Sequence, residues 1–209
     1  MPLNEIPLAE RLRPTTLDEF MGQNKILGAG SLLRRSLETD SIPSMIFWGP
    51  PGCGKTSLAN VIKNQSSKKF VSLSAVSSGV KDVKTVLAEA KEPNLLNPHG
   101  TILFIDEIHR FNKSQQDALL GAVEDGTVTL IGATTENPGF EVNSALLSRC
   151  QLILFAPLQE DELEKLLFNA LHNDPRGLCR KDVELTKEVA KKLIAFTAGI
   201  TRLGISFSR

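Results

Sequence analysis

Apolar and polar positions along the 209-residue chain follow two habits. Runs that are apolar almost throughout fall at Ser44 to Trp48, Phe70 to Leu73, Thr101 to Ile105, Thr127 to Gly132 and Gln151 to Phe155. Between them lie stretches with helical spacing: one after Lys55, then Asp82 to Lys91, Ser114 to Val123 and Ser144 to Leu147. Such runs, separated by helical segments, are how strands buried in a parallel sheet read, with the helices as crossovers. The pattern predicts an α/β fold. Past Pro157 it turns helical only. Glu160 to Leu171 places apolar residues 163, 166, 167 and 171 on one face, and a second helix is predicted over Lys187 to Phe196. The intervening His172 to Asp182 contains Asn-Asp-Pro-Arg-Gly and reads as a turn-forming loop. A boundary near Pro157 therefore divides an α/β core from a short helical piece, and no repeat or low-complexity tract interrupts either.

Composition changes this picture little. A 41% hydrophobic and 23% charged chain is globular by composition. Its 24 basic and 24 acidic residues cancel, which removes any global field that would draw it to a polyanion. Contact with nucleic acid must come from a local patch, or from one patch repeated around an oligomer. Arg110 and Lys113 are candidates for such a patch, or an ordinary solvated helix start. Cys53, Cys150 and Cys179 lack the paired spacings of a zinc site or a disulfide framework, so a reducing intracellular compartment is expected. The opening Met-Pro-Leu-Asn-Glu lacks a basic n-region and an apolar h-region, and no apolar run is long enough to span a bilayer. Neither a signal peptide nor membrane association is expected.

The chemistry begins directly after the strand ending at Trp48. Gly49-Pro50-Pro51-Gly52-Cys53-Gly54-Lys55-Thr56 matches the phosphate-loop pattern G-x-x-x-x-G-K-[ST] at every fixed position, between a strand and a helix as the pattern requires. Glycines let backbone amides turn toward phosphates, the helix start adds a favourable dipole, Lys55 reaches the terminal phosphates and the Thr56 hydroxyl ligates magnesium. Ser57 completes the set of nucleotide-binding candidates. Oxidation or alkylation of Cys53 within the loop is expected to block nucleotide binding sterically.

The next functional signal is Asp106-Glu107 at the carboxyl end of the third strand, where α/β sheets present functional groups. Asp106 is expected to hold magnesium, directly or through water, and Glu107 to orient or deprotonate the attacking water; taken alone, the pair is equally a helix N-cap. Thr134, in Gly132-Ala133-Thr134-Thr135-Glu136-Asn137-Pro138, is placed to reach a γ-phosphate or the water, or else belongs to a turn. Arg149 follows a short helix and is either a favourable charge near its C-terminus or a finger reaching a neighbour's phosphates. His109 reads as a structural neighbour of the acidic pair.

These motifs carry a family resemblance. Pro7 to Pro14, Gly22-Gln23, Trp48 with the phosphate loop, Phe104 to Gln116, Gly132 to Pro138 and Ser148-Arg149-Cys150 together resemble an AAA+ ATPase. More narrowly they resemble the clamp-loader-like RarA/MgsA branch, whose eukaryotic member is the Werner helicase-interacting protein. The resemblance runs from about Pro7 to Ala198. It implies a phosphate-loop AAA+ core followed by a helical lid, and an oligomeric, DNA-dependent ATPase using ATP and Mg2+. It implies action at replication forks and single-strand to double-strand junctions, with replication and repair proteins or full-length family members as partners. Location is then the nucleus in a eukaryote, or the cytoplasm and nucleoid in a bacterium. The likeness assigns Arg11 to Gln23, with Arg13, Pro14, Gly22 and Gln23, to the adenine pocket, Thr134 to sensor 1, and Arg149 to a finger acting in trans. Its domains are an N-terminal segment 1–23, an ATPase core 24–156 and a partial lid 157–209.

The chain departs from the family where Gly-Asp-Ala-Arg usually opens the last lid helix. It reads Gly199-Ile200-Thr201-Arg202, which leaves Arg202 as either sensor 2 or a solvated side chain. The residues after Gly199 do not resume a lid helix, and the expectation is of a chain truncated at its C-terminus. Two functions follow: a fork-associated ATPase working at subunit interfaces, or a truncated nucleotide-binding regulatory partner with little turnover. A small-molecule kinase is disfavoured, since Glu107 beside Asp106 points to water as the acceptor.

Overall fold

The computed structural model describes residues 6–92, 100–173, 175–179 and 183–196. Three short helices, α1 (Leu8–Arg11), α2 (Asn24–Leu27) and α3 (Leu32–Glu38), precede a five-stranded sheet. The chain then alternates through β1 (Met45–Trp48), α4 (Lys55–Gln65), β2 (Lys69–Ser74), α5 (Val80–Lys91), β3 (Thr101–Asp106), α6 (Lys113–Glu124) and β4 (Val128–Thr134). Two single-turn helices, α7 (Pro138–Glu141) and α8 (Ser144–Leu147), lead to β5 (Gln151–Leu154), and α9 (Glu160–Phe168) and α10 (Lys187–Phe196) close the described chain. Among the described residues no helix is long and apolar enough to cross a membrane.

All strand pairs are parallel, in the order β2-β3-β4-β1-β5. Alternation along the strands explains why their apolar runs are continuous. Met45, Phe47, Ile102, Phe104, Ile131 and Ala133 enter one core with the α3 and α4 side chains, while Ile46, Leu103, Ile105 and Leu130 enter another with those of α5, α6 and α8. Both faces are covered, so the runs are apolar almost throughout. The sheet-edge strands break the rule. In β5, Ile153 packs inward but Leu152 and Leu154 are exposed, so an apolar run did not mark burial there. Edge strands carry neighbours on one side only, which leaves part of their surface in solvent.

The helical piece has its own small core of Leu163, Leu167, Ala190 and Ile194. Its first helix is shorter than the spacing predicts, because after Phe168 the chain widens into a π-helical turn over Asn169–Asn173. Ahead of the core, Arg11 ends a helical turn beginning at Leu8. The tail from Gly199, with Arg202, lies outside the described residues.

Candidate functional site

The sheet order puts the candidate chemistry on one edge. β4 lies between β3 and β1, and the register pairs Thr134 with Trp48 and Gly132 with Ile105. The carboxyl tip of β4 therefore stands between the phosphate loop that follows β1 and the acidic pair that ends β3, the position where α/β sheets hold ligands. A direct bond joins two of the three, since the Gly49 N–H donates to the Thr134 carbonyl at 3.3 Å.

The loop turns through Gly52 at φ 76° and Gly54 at φ 105°, conformations that suit glycine. Gly54 is the N-cap of α4, which brings Lys55, Thr56 and Ser57 into the first helical turn. A side chain at Gly54 would meet the Phe20 ring at 2.8 Å, and one at Gly49 would meet the Phe155 carbonyl at 2.5 Å. The loop is thus packed against an aromatic ring on one flank and backbone on the other. The Lys55 ammonium is buried and donates to the carbonyls of Gly49 at 2.7 Å and Pro50 at 2.8 Å. Cys53 is buried too, its thiol 3.8 Å from the Lys55 Nζ, and burial raises its pKa in spite of that cation. Reagents that need an accessible thiolate are disfavoured at this cysteine.

At the tip of β3, Glu107 adopts a left-handed backbone at φ 56°. Such a conformation costs a non-glycine residue about 1–3 kcal/mol and turns the chain sharply out of the strand. The 3-10 turn Ile108–Arg110 follows, and Ile108 is fully buried against the sheet. Gly132 makes that possible, because a side chain there would come within 2.9 Å of the Ile108 Cδ1 and 2.8 Å of the Ile46 Cδ1. The turn folds His109 back over the tip of β4. Its Nδ1 lies 3.0 Å from the Thr134 Oγ1 and 3.3 Å from the Glu107 Oε2. Thr134 is fully buried, and its hydroxyl also accepts from the Glu136 N–H at 3.0 Å. Asp106 and Thr56 contribute a carboxylate and a hydroxyl, both hard oxygen donors. No cluster of three metal-ligating side chains exists among the described residues. One carboxylate plus one hydroxyl fits magnesium, which is held by few protein oxygens together with phosphates and water.

The N-terminal segment is fastened over the loop. Gln23 is buried in a left-handed conformation, φ 59°, and its amide nitrogen donates to the carbonyls of Cys53 at 3.1 Å and Ala156 at 2.6 Å. Its amide oxygen accepts from the Ala156 N–H at 3.0 Å, so one side chain ties the phosphate loop to the chain leaving β5. Gly22 packs against the start of the helical piece, since a side chain there would meet Leu158 at 2.5 Å. Arg13, followed by Pro14, bonds Glu10 at 2.6 Å through its Nε. The Arg13 carbonyl accepts from Arg176 at 3.3 Å, and Arg176 also donates to Glu19 at 3.1 Å.

Arg149 lies away from this cluster, beyond α8. It pairs with Glu124 at the end of α6 and donates to the Ala145 carbonyl at 2.6 Å and the Ser148 hydroxyl at 3.1 Å. Gln116 steadies the segment before it, donating to the carbonyls of Phe111 and Glu141, both at 3.0 Å, and accepting from the Asn143 N–H at 2.6 Å. The structure thus gathers residues 49–57, 106, 107 and 134, fastens 22 and 23 to them, and holds Arg149 within its own subunit. Sequence reasoning missed the clasp formed by Gln23, the bridge made by His109, the space left by Gly132 and the Glu124 partner of Arg149. Of these, only the left-over histidine next to an acidic pair was a visible signal.

The family described as ATPase family associated with various cellular activities (AAA) matches residues 45–158. The chain is 48% identical over 197 residues to Replication-associated recombination protein A of Coxiella burnetii, covering 94% of this chain and 44% of that protein. It is 45% identical over 200 residues to the Escherichia coli K12 protein of the same name, covering 96% and 44% of the two. With ATPase WRNIP1 of Dictyostelium discoideum the identity is 44% over 200 residues, covering 96% and 23%. The chain spans less than half the length of these relatives. Among solved structures, the Thermotoga maritima RuvB Holliday junction branch migration motor superposes with a TM-score of 0.73 at 30% identity, covering 93% of this chain and 63% of that one.

Proposed function

The chain belongs to the AAA family of ATPases, and from that premise we propose that it hydrolyses ATP with Mg2+ and couples turnover to remodelling DNA at replication forks or single-strand to double-strand junctions. The observation that carries the reading is the shared sheet edge: a phosphate loop and an acidic pair flank the buried Thr134 tip, with Gly49 bonded to Thr134. The DNA and repair setting is supported by relatives named for replication-associated recombination and by likeness to a branch migration motor.

In this reading the backbone of Gly49 to Gly54 cradles the phosphates and Lys55 leaves its carbonyl partners for the terminal phosphates. Thr56 and Asp106 hold magnesium, which supplies neutralisation of the phosphate charge. Glu107 accepts a proton from the attacking water, an effect worth about 10²–10⁴-fold in general acid–base catalysis. Thr134 faces the transferred phosphate. The N-terminal segment, through Arg13, Pro14, Gly22 and Gln23, forms one wall of the nucleotide pocket between the ATPase core and the helical piece. Arg149 exchanges Glu124 for a neighbouring subunit's nucleotide, so turnover depends on assembly of like chains, with replication and repair proteins as further partners. The setting is intracellular: nucleus in a eukaryote, cytoplasm or nucleoid in a bacterium.

A second reading, a nucleotide-binding regulatory partner with little turnover, is favoured by one observation, the engagement of Arg149 with Glu124 in its own subunit. ATP turnover measured at several protein concentrations, with and without forked DNA, separates the two. Turnover that rises with concentration and DNA, and is abolished by Glu107→Gln, supports the fork ATPase. Binding without turnover selects the regulatory partner, and turnover indifferent to Glu107→Gln defeats the assignment of this site.

A further inference from the structure

His109 is the side chain at this site that the reaction as described does not use, yet it is the one that connects the others. Its single ring nitrogen Nδ1 faces two oxygens, the Thr134 Oγ1 at 3.0 Å and the Glu107 Oε2 at 3.3 Å. A carboxylate oxygen only accepts, so the hydrogen belongs on Nδ1. Thr134 agrees with this assignment. Its hydroxyl hydrogen points to the Glu136 carbonyl at 3.3 Å, and one oxygen lone pair already takes the Glu136 N–H at 3.0 Å. The remaining lone pair faces His109 as an acceptor. The ring cannot swing away easily, because it is largely buried and the turn carrying it is anchored by Ile108 in the space beside Gly132.

We propose that His109 is a positioning residue that holds the Glu107 carboxylate against Thr134 through a shared Nδ1–H, leaving the other carboxylate oxygen to face the attacking water. The proposal rests on the ATPase reading above and adds to it a coupling. The base and the strand tip beside the transferred phosphate are held by one donor, so displacement of either is felt by the other. Misplacement of a catalytic group by about 1 Å costs about 10²-fold in rate, and loss of this tether acts on turnover while leaving the phosphate loop untouched.

The experiment is steady-state ATP turnover and ATP binding for His109→Ala, His109→Asn and His109→Gln, with Glu107→Gln alone and combined with His109→Ala. His109→Ala is expected to lower kcat about tenfold or more with ATP affinity within about twofold of wild type. Asn carries an amide N–H where Nδ1 stood and is expected to recover most of the loss. Gln, whose amide sits one carbon further out, is not. The double variant should bind ATP as Glu107→Gln alone does, since the tether lies outside the phosphate loop. Wild-type kcat in His109→Ala, or an Asn variant as slow as Ala, overturns the proposal. Glu107→Gln with wild-type turnover instead defeats the assignment of Glu107 as the base, and a wild-type protein that binds ATP without turnover defeats the ATPase reading itself. Nitrogen-15 spectra of the imidazole provide a test independent of turnover: the hydrogen is expected on Nδ1, and a ring protonated only at Nε2 overturns the proposal.

Discussion

The sheet edge and the N-terminal segment both border the phosphate loop, but they are held in different ways. The edge is an outgrowth of the core: β1, β3 and β4 bury Phe47, Ile105 and Ala133 completely, and Thr134 at their tips is as inaccessible as they are. The segment over the loop adds polar clasps to the packing of Leu17 and Phe20, with Gln23 bridging Cys53 to Ala156 and Arg176 bridging Arg13 to Glu19. Close packing resists displacement in every direction, whereas a few hydrogen bonds define a position yet yield at small cost. The difference suits the proposed reaction, whose chemistry needs fixed groups and whose pocket must admit and release nucleotide.

Substitutions should expose that difference. Phe47→Ala removes a fully buried ring whose centroid lies 5.2 Å from that of Phe155 in a tilted contact, and is expected to cost about 3–5 kcal/mol in chemical denaturation, near the limit of what the fold tolerates. Gln23→Ala leaves the Cys53 and Ala156 carbonyls and the Ala156 N–H without their partner. A loss of about 1–3 kcal/mol is expected, together with weaker ATP binding in calorimetry. An equal loss of stability with wild-type ATP affinity would mean that the clasp serves the fold and not the pocket.

The Arg176 to Glu19 clasp should matter least. The Thr15 backbone N–H, and then the Arg176 guanidinium, hold the Glu19 carboxyl below its ordinary 4.5 against the opposing effect of burial. A depressed acid stabilises the fold above its unfolded pKa, so this contribution is present above pH 4.5 and fades as the pH falls below it. Both side chains are partly exposed, and Arg176→Ala is expected to cost less than about 1 kcal/mol at pH 7 and nothing measurable in acid.

Thiol labelling sharpens the comparison on a different scale. Cys179 is exposed, Cys150 is pushed up to about 11 by burial, and Cys53 is buried beneath the loop. Maleimide should modify Cys179 first, with Cys53 protected in the folded protein. Rapid labelling of Cys53 at native pH would show that the loop opens far more freely than its packing against Phe20 and Phe155 suggests.

Most of the edge was legible in the sequence because local rules govern it. The spacing of Gly49 to Thr56 states a phosphate loop, and apolar runs of strand length ending in Asp106 or Thr134 state where functional side chains emerge. Legibility failed at long-range pairings. Nothing in the local pattern links Gln23 to Ala156, 133 residues away, or sets Glu124 against Arg149. The exposed Leu152 and Leu154 show the same limit, since an apolar run does not say whether its strand lies at the centre or the edge of a sheet.

The sequence by itself determined that this chain is an α/β phosphate-loop protein with a carboxylate pair at a strand end, because periodicity, glycine spacing and residue chemistry are properties of neighbours along the chain. Only the tertiary structure decided which strand tips stand side by side, that His109 bridges Glu107 and Thr134, and that Arg149 is engaged within its own subunit. Those outcomes follow from strand order, from the space Gly132 leaves for Ile108, and from ion pairs between distant helices, and each is fixed when the packed layers meet.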